Sequence, residues 1–392
     1  MNDTLHPLLN RVQKVALTVA GIGIVLSCVG VAHDQHNFFV SYLVSYTFWL
    51  GLSLGCLGVA MIHHLTGGGW GFVTRRFLEA GFMTLPLMTL LFLPLLGDLP
   101  ALYSWARPEA VAASVILQKK QHYLNIPGFV VRAIIFFLVW NIFAWLLRKW
   151  SLRQDTTDDV MPTIRMRTLS GPGIVIYPLT ATFAFVDWVM SVDVEWYSTM
   201  FPVIILIGQV LTAFAFITIL LAVARNHLPF QTVVMTDHFH DLGNLLLAFV
   251  AFWTYVCFGQ LLVTYSGNLP LEIAWYLRRI AGSWRWLILF IAAFHFFVSF
   301  FLLLFREMKR REARLAGIAA LIFVMQALAI FWTIVPAFRL DGVRVCGTDF
   351  AVFFGMGGLW LAMFAAALTR QRLLPQNDPR IEFSISGTAN AK

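Results

Sequence analysis

Charge is what this chain has least of. Aspartate, glutamate, lysine and arginine together make up 12% of its 392 residues, about half of the ~25% usual in soluble domains. A chain this long with so little charge is not a string of soluble domains. Cysteine is scarce too. Cys28, Cys56, Cys257 and Cys346 show no C-x-x-C or metal-ligand spacing, and a cysteine in an apolar run is most simply a small buried hydrophobe. No haem-c motif, iron–sulfur run or dinucleotide fingerprint occurs, so the sequence predicts no redox metal bound by this chain. The net charge of +8 does not form a nucleic-acid-binding stripe, because the basic residues sit at the ends of apolar runs.

What fills the space is apolar. Hydrophobic residues make up 59% and the mean hydropathy is +0.76, which predicts an all-α polytopic membrane protein. Apolar runs of about twenty residues give ten spans near 15–33, 38–63, 81–97, 128–148, 173–192, 199–224, 242–264, 283–305, 315–336 and 349–369. The first resembles a signal peptide, with Arg11 and Lys14 ahead of it, but its run is too long for a cleaved h-region. Nineteen of the 28 lysines and arginines fall on the side of both termini and seven on the other, with Arg132 and Arg285 just inside spans. This bias predicts that both termini are cytoplasmic. Residues 98–127 then form a long outer loop that should dock on something. Residues 67–80 read as a flexible joint and a short interfacial amphipathic segment. The polar tail from Gln371 has no helical period and reads as disordered.

Polar residues inside spans are costly and so are informative. In the fifth span Tyr177, Thr180, Ala184, Asp187 and Ser191 recur at steps of three and four and share a face. Asp187 must be neutral, paired or wet there; it is either a member of a proton route or helix glue. At the head of the seventh span, Asp237, Asp241 and Asn244 share a face beside His238 and His240. That cluster suits proton uptake, against the plainer reading of helix capping. His295 lies mid-span without a second histidine at matching depth, which argues against a b-type haem. A hydrogen bond to Asn141, Gln209 or Gln326 is the simple expectation, and a share in a proton path is the sharper one. Toward the outer face, Asp193, Glu195, Trp196, Tyr197, Gln260, Tyr265 and Asn268 could form the edge of a quinone site or simply an interfacial aromatic belt.

Three blocks carry a family resemblance. They are RTLSGPGIVIYPLTATFAFVDWVMSVDVEWYST from Arg167, HDLGNLLLAFVAFWTYVCFGQLLVTYSGNLPLEIAWYLRR from His240, and a weaker LYSWARPEAVAASVILQKKQHYLNIPGFVVRAIIFFLVW from Leu102. Together they resemble the second large membrane subunit of bacterial alternative complex III, a quinol:cytochrome c oxidoreductase, within the wider NrfD and polysulfide-reductase membrane-anchor group. The resemblance implies two four-helix bundles flanked by one helix at each end. It implies as partners a sister NrfD-like membrane subunit, a periplasmic iron–sulfur protein and c-type cytochrome subunits, which would hold the haem c and iron–sulfur clusters. It also implies a non-catalytic subunit that helps build a transmembrane proton path or contributes to quinol binding. The positions carried over are Asp187, Asp193, His240, Asp241, Tyr255 and Arg279. Two rival classes stand beside it. One is a stand-alone proton-coupled secondary transporter, for which Pro178 and Pro202 lack counterparts in the other half. The other is a purely structural membrane anchor.

Overall fold

A computed structural model describes residues 5–378, and every regular element among them is helical. Ten helical segments are long and apolar enough to cross a membrane: Leu5–His33, Gln35–Thr66, Gly69–Gly97, Ile126–Gln154, Met161–Val192, Phe201–Ala224, Thr236–Gly267, Trp284–Leu304, Glu312–Ala337 and Gly347–Thr369. The chain is an all-α polytopic membrane protein. Only helices that satisfy their own backbone groups can stand in hydrocarbon as separate segments, which is why ten apolar runs became ten helices. Each contains or overlaps its expected run. One face of the bundle carries Leu5 and Asp378 and is called the terminal face; the other carries residues 98–125 and is called the loop face.

The second to fifth spans close a ring in chain order, and the sixth to ninth spans do the same. The rings meet along the second and sixth spans, flanked by fifth-to-sixth and second-to-ninth contacts. Small residues make that seam possible. A Cβ on Gly55 would lie 2.1 Å from the carbonyl oxygen of Gln209, so the two backbones approach as only glycine allows. The first and tenth spans pack along each other and against the second. At their crossing, a Cβ on Gly23 would lie 2.3 Å from the Gly355 Cα.

Two expectations change and a third becomes specific. Residues 69–82 are not an interfacial segment but the helical head of the third span, with Arg75, Arg76 and Glu79 each 1% exposed. The pairs Arg75–Glu79 (3.0 Å) and Arg76–Glu79 (2.7 Å) share one helix face, and Arg148, Ser151, Asp155 and Asp378 complete the cluster. A buried charge stays in place only when it is paired in this way. The long loop docks on its own bundle: Tyr103 donates to the Trp188 carbonyl at 2.8 Å, Trp105 to Ser191 Oγ at 3.1 Å, and Lys120 to the Val194 carbonyl at 2.5 Å. The tail is ordered at its start, where Leu373 is buried and Asp378 pairs with Arg75 at 3.0 Å. Residues 379–392 lie outside the described residues.

Candidate functional site

A large cavity lies in the loop-facing half of the second ring. It has a volume of about 850 Å³ and is walled by the sixth, seventh, eighth and ninth spans and by the helix Pro270–Ile280. Tyr255, Phe258 and Phe297 line it while remaining 72%, 59% and 54% exposed. The cavity therefore opens sideways through the apolar outer surface of the bundle.

The polypeptide makes this pocket by stopping the seventh helix sharply. Asn268 adopts a left-handed conformation with φ 45° and its N–H closes on the Thr264 carbonyl at 3.1 Å. Pro270 then starts the next helix at its first turn. This is the usual division of labour between an Asn or Gly stop and a Pro start, and it accounts for the Ser266–Pro270 run. The new helix is amphipathic. It buries Trp275 and Arg279 and turns Leu271 and Leu277 outward.

Arg279 and Asp193 form the roof of the site. Arg279 Nη2 donates to Asp193 Oδ2 at 3.0 Å and to the Thr333 carbonyl at 2.7 Å, and Arg278 Nη1 reaches Asp193 Oδ1 at 2.7 Å. The Arg279 guanidinium lies 3.7 Å from the centre of the Trp275 ring, and Trp275 stacks on Trp196 at 4.5 Å. Burial lowers the Arg279 pKa to about 10, against the opposing pull of Asp193. It remains a cation at neutral pH. Arg279 suits this place because a planar fork can bond a carboxylate and a carbonyl while stacking on an indole.

Below the roof the walls are apolar with a short polar ladder. Thr254, Cys257 and Gln260 recur every three residues along the seventh span, and Tyr276 faces them. Thr254 Oγ1 and Gln260 Oε1 are buried with no hydrogen-bond partner among the described residues. A greasy chamber with a few unsatisfied polar atoms is the form of a small-molecule site.

The remaining sequence candidates divide. Gln260, Asp193, Trp196 and Arg279 come together here, while Glu195, Tyr197, Tyr265 and Asn268 are exposed. Tyr255 belongs to the cavity mouth rather than to a buried relay. In the first ring, Arg132 Nε donates to Asp187 Oδ2 at 2.6 Å. Ser191 bonds the Asp187 carbonyl at 2.5 Å, and Thr180 accepts from Trp140 at 2.9 Å. Tyr177 donates to Gln209 at 2.9 Å across the seam.

The seventh-span cluster separates into local pairs. Asp237 meets Arg310 at 3.4 Å, Asn244 accepts from buried Lys309 at 2.7 Å, and His240 lies 3.4 Å from Asn244. His238 Nδ1 accepts the Met235 N–H at 3.1 Å and so caps the helix itself. Asp241 is exposed. Lys309 and Arg310 were not signalled by the head of the seventh span, because they come from the end of the eighth.

His295 does not bond Asn141, Gln209 or Gln326. It is fully buried, its ring lies tilted against Trp253 with centroids 4.3 Å apart, and neither ring nitrogen has a hydrogen-bond partner among the described residues. The eighth span widens around it into a π-helix from Ala292 to Val298, a distortion common at functional positions. No group of three or more His, Cys, Asp or Glu side chains is placed to hold a metal among the described residues.

No protein-family model matches the sequence, and no curated protein does either. The functional reading therefore stands on the site's geometry and on the sequence blocks described above.

Proposed function

We propose that this chain is an integral membrane subunit of a respiratory quinol-oxidising complex and that it contributes to quinol binding rather than holding a redox centre. The observation that carries the reading is the 850 Å³ cavity opening toward lipid, with its Thr254–Cys257–Gln260 ladder and Tyr276 under the Arg279–Asp193 roof. A quinol has an apolar body that arrives from the bilayer and two oxygens that need hydrogen-bond partners. The cavity offers a wall for each. The resemblance in the blocks from Arg167 and His240 supplies the kind of complex: a sister membrane subunit, an iron–sulfur protein and c-type cytochromes as partners, with quinol passing electrons to them.

The alternative role, a proton route through the fifth span, has less behind it. Asp187 is held by Arg132, and the aromatic side chains of Phe92, Phe137, Trp140 and Trp188 pack together beside it. The Glu79 cluster lies at the far end and is closed by its own arginines.

Extraction in mild detergent followed by mass spectrometry tests the proposal. Co-purification of haem-c and iron–sulfur subunits is the expected result. Recovery as a lone chain without redox partners, at full yield and stability, would instead support a transporter.

A further inference from the structure

A second, much smaller space lies directly behind the cavity. It has a volume of about 30 Å³ and sits on the seam between the two rings, walled by the second, sixth, seventh and ninth spans. The two spaces share Ile204, Ile205, Trp253, Ala329 and Thr333 as wall residues. Gln209 and Gln326 line only the smaller one. They are 3% and 2% exposed, and the Nε2 of each has no hydrogen-bond acceptor among the described residues.

Two buried amide donors left open on one small space are unusual, since such groups are nearly always satisfied. Of their two oxygens, that of Gln209 is committed. Gln209 Oε1 takes the Tyr177 hydroxyl at 2.9 Å. Gln326 and Trp253 press against the bare Cα of Gly208, where a Cβ would lie 3.0 Å from Gln326 Oε1 and 3.4 Å from Trp253 Nε1. The two neighbouring hydroxyls have spent their protons on backbone carbonyls, Thr212 on Gly208 and Thr333 on Ala329, each at 2.7 Å. Each keeps a lone pair. The chamber thus offers two amide N–H donors, with the Gln326 carbonyl oxygen and two hydroxyl oxygens as acceptors, and no formal charge among these groups. It selects a neutral oxygen that accepts and, when it carries a proton, also donates.

We propose that this chamber is the head-group end of the larger cavity, where Gln209 and Gln326 hold the carbonyl or hydroxyl oxygen of a membrane-soluble molecule whose apolar body fills the space beyond Trp253. The inference rests on the reading of the cavity as a ligand site. It adds the atoms that hold the ligand and the class of group they take. A quinone ring oxygen and a lipid ester carbonyl share this chemistry. Trp253 stands at the junction, so its ring position sets whether the two spaces connect.

The test uses the protein as purified, in its complex where one forms, and a decyl-benzoquinone bearing an azide on its ring. Photolabelling mapped by mass spectrometry is expected on the seventh- and ninth-span peptides containing Trp253 and Ala329–Thr333. Gln209→Met and Gln326→Met keep the volume and remove the donors. Each should reduce labelling by roughly three- to tenfold, the worth of one hydrogen bond, with melting temperature recorded to confirm folding. Excess unlabelled decyl-benzoquinone should abolish labelling in the wild type, and extraction of the untreated protein should release a quinone. Release of phospholipid alone would assign the site to an ester carbonyl. Wild-type labelling confined to other regions overturns the inference without any variant, as does equal labelling in both folded variants. If such a complex still oxidised quinol, the proposed function would survive that result. Gln-dependent labelling in a chain that purifies without redox partners would remove the function and leave the site.

Discussion

Arg132 and Asp187 face each other from the fourth and fifth spans, Nε to Oδ2 at 2.6 Å, with the Asp187 side chain fully enclosed and the Arg132 side chain 21% exposed. The Tyr123 ring from the docked loop lies 4.0 Å from the guanidinium. Burial and the Asp187 charge together raise the Tyr123 pKa well above its ordinary value, so the phenol stays protonated and neutral beside the pair. The loop, two helices and an ion pair are thereby joined at one corner. Removing either charge should destabilise the protein more than removing both. Asp187→Leu and Arg132→Leu are each expected to lower the melting temperature in detergent, and the double variant to recover part of the loss, because a lone enclosed charge is the costly state. Proton release by the intact complex in proteoliposomes should be unchanged in Asp187→Asn. A loss of proton movement with assembly intact would place Asp187 on a route after all.

Glu79 is the anion on which Arg75, Arg76 and Arg148 converge. Glu79→Gln leaves two buried cations and the partly buried Arg148 sharing fewer negative partners. The expected cost is about 3–5 kcal/mol, seen as loss of yield and of cooperative thermal unfolding. Removing the chain from Asp378 onward takes one partner from Arg75 and should cost less. Equal effects from the two changes would contradict the central place of Glu79.

Arg278 and Arg279 are adjacent and bond the same carboxylate, but only Arg279 is enclosed and stacked. Arg278→Lys should be nearly silent. Arg279→Lys should behave almost like Arg279→Gln, because an ammonium cannot bond Asp193 and the Thr333 carbonyl while stacking on Trp275. Thermal unfolding of the three variants decides the matter, and full rescue by lysine would refute it.

Asp34 caps the second span, accepting the Asn37 N–H at 3.0 Å and the Asn37 side-chain amide at 2.6 Å. The Asn37 N–H holds its pKa below the ordinary value of 3.8. Its folded pKa is thus below the unfolded one, so its contribution is complete above pH 3.8 and fades as the pH falls through the depressed value. Asp34→Ala should cost ~1 kcal/mol near neutral pH. The gap between the variant and the parent should close in acid.

Orientation follows from charge placement. A reporter fused after Lys392 should be active in the cytoplasm and one within residues 104–122 should report the opposite side. The reverse at either site would overturn the charge count.

Much of this was legible in the sequence, and the parts that were not have physical reasons. Ten apolar runs became ten helices because length and hydropathy are local properties. The pairing need of Asp187 was legible as well, although its partner lies 55 residues away. The head of the third span was misjudged because Arg75, Arg76 and Glu79 look like solvent-facing charge until neighbours close over them. The i+3 and i+4 spacing to Glu79 was the available signal. His295 was expected to find a polar partner, and what it meets is the face of Trp253, a contact that no spacing rule encodes. The cavity depends on where the Pro270–Ile280 helix settles. That is a tertiary outcome of a turn whose residues, Asn268 and Pro270, were plainly visible.

The clasp between the first and tenth spans bears on how the protein is made. Gly30 faces Thr348, Gly23 faces Gly355 and Ala16 faces Gly358, an antiparallel zipper of small residues joining helices more than 300 residues apart. At a synthesis rate of roughly 5–20 residues per second, the first helix waits tens of seconds in the bilayer for its mate. During that time its exposed stripe of small residues is available to any other helix with a matching groove. A chain cut short before the tenth span has ends that cannot meet, and its stripe of small residues stays uncovered.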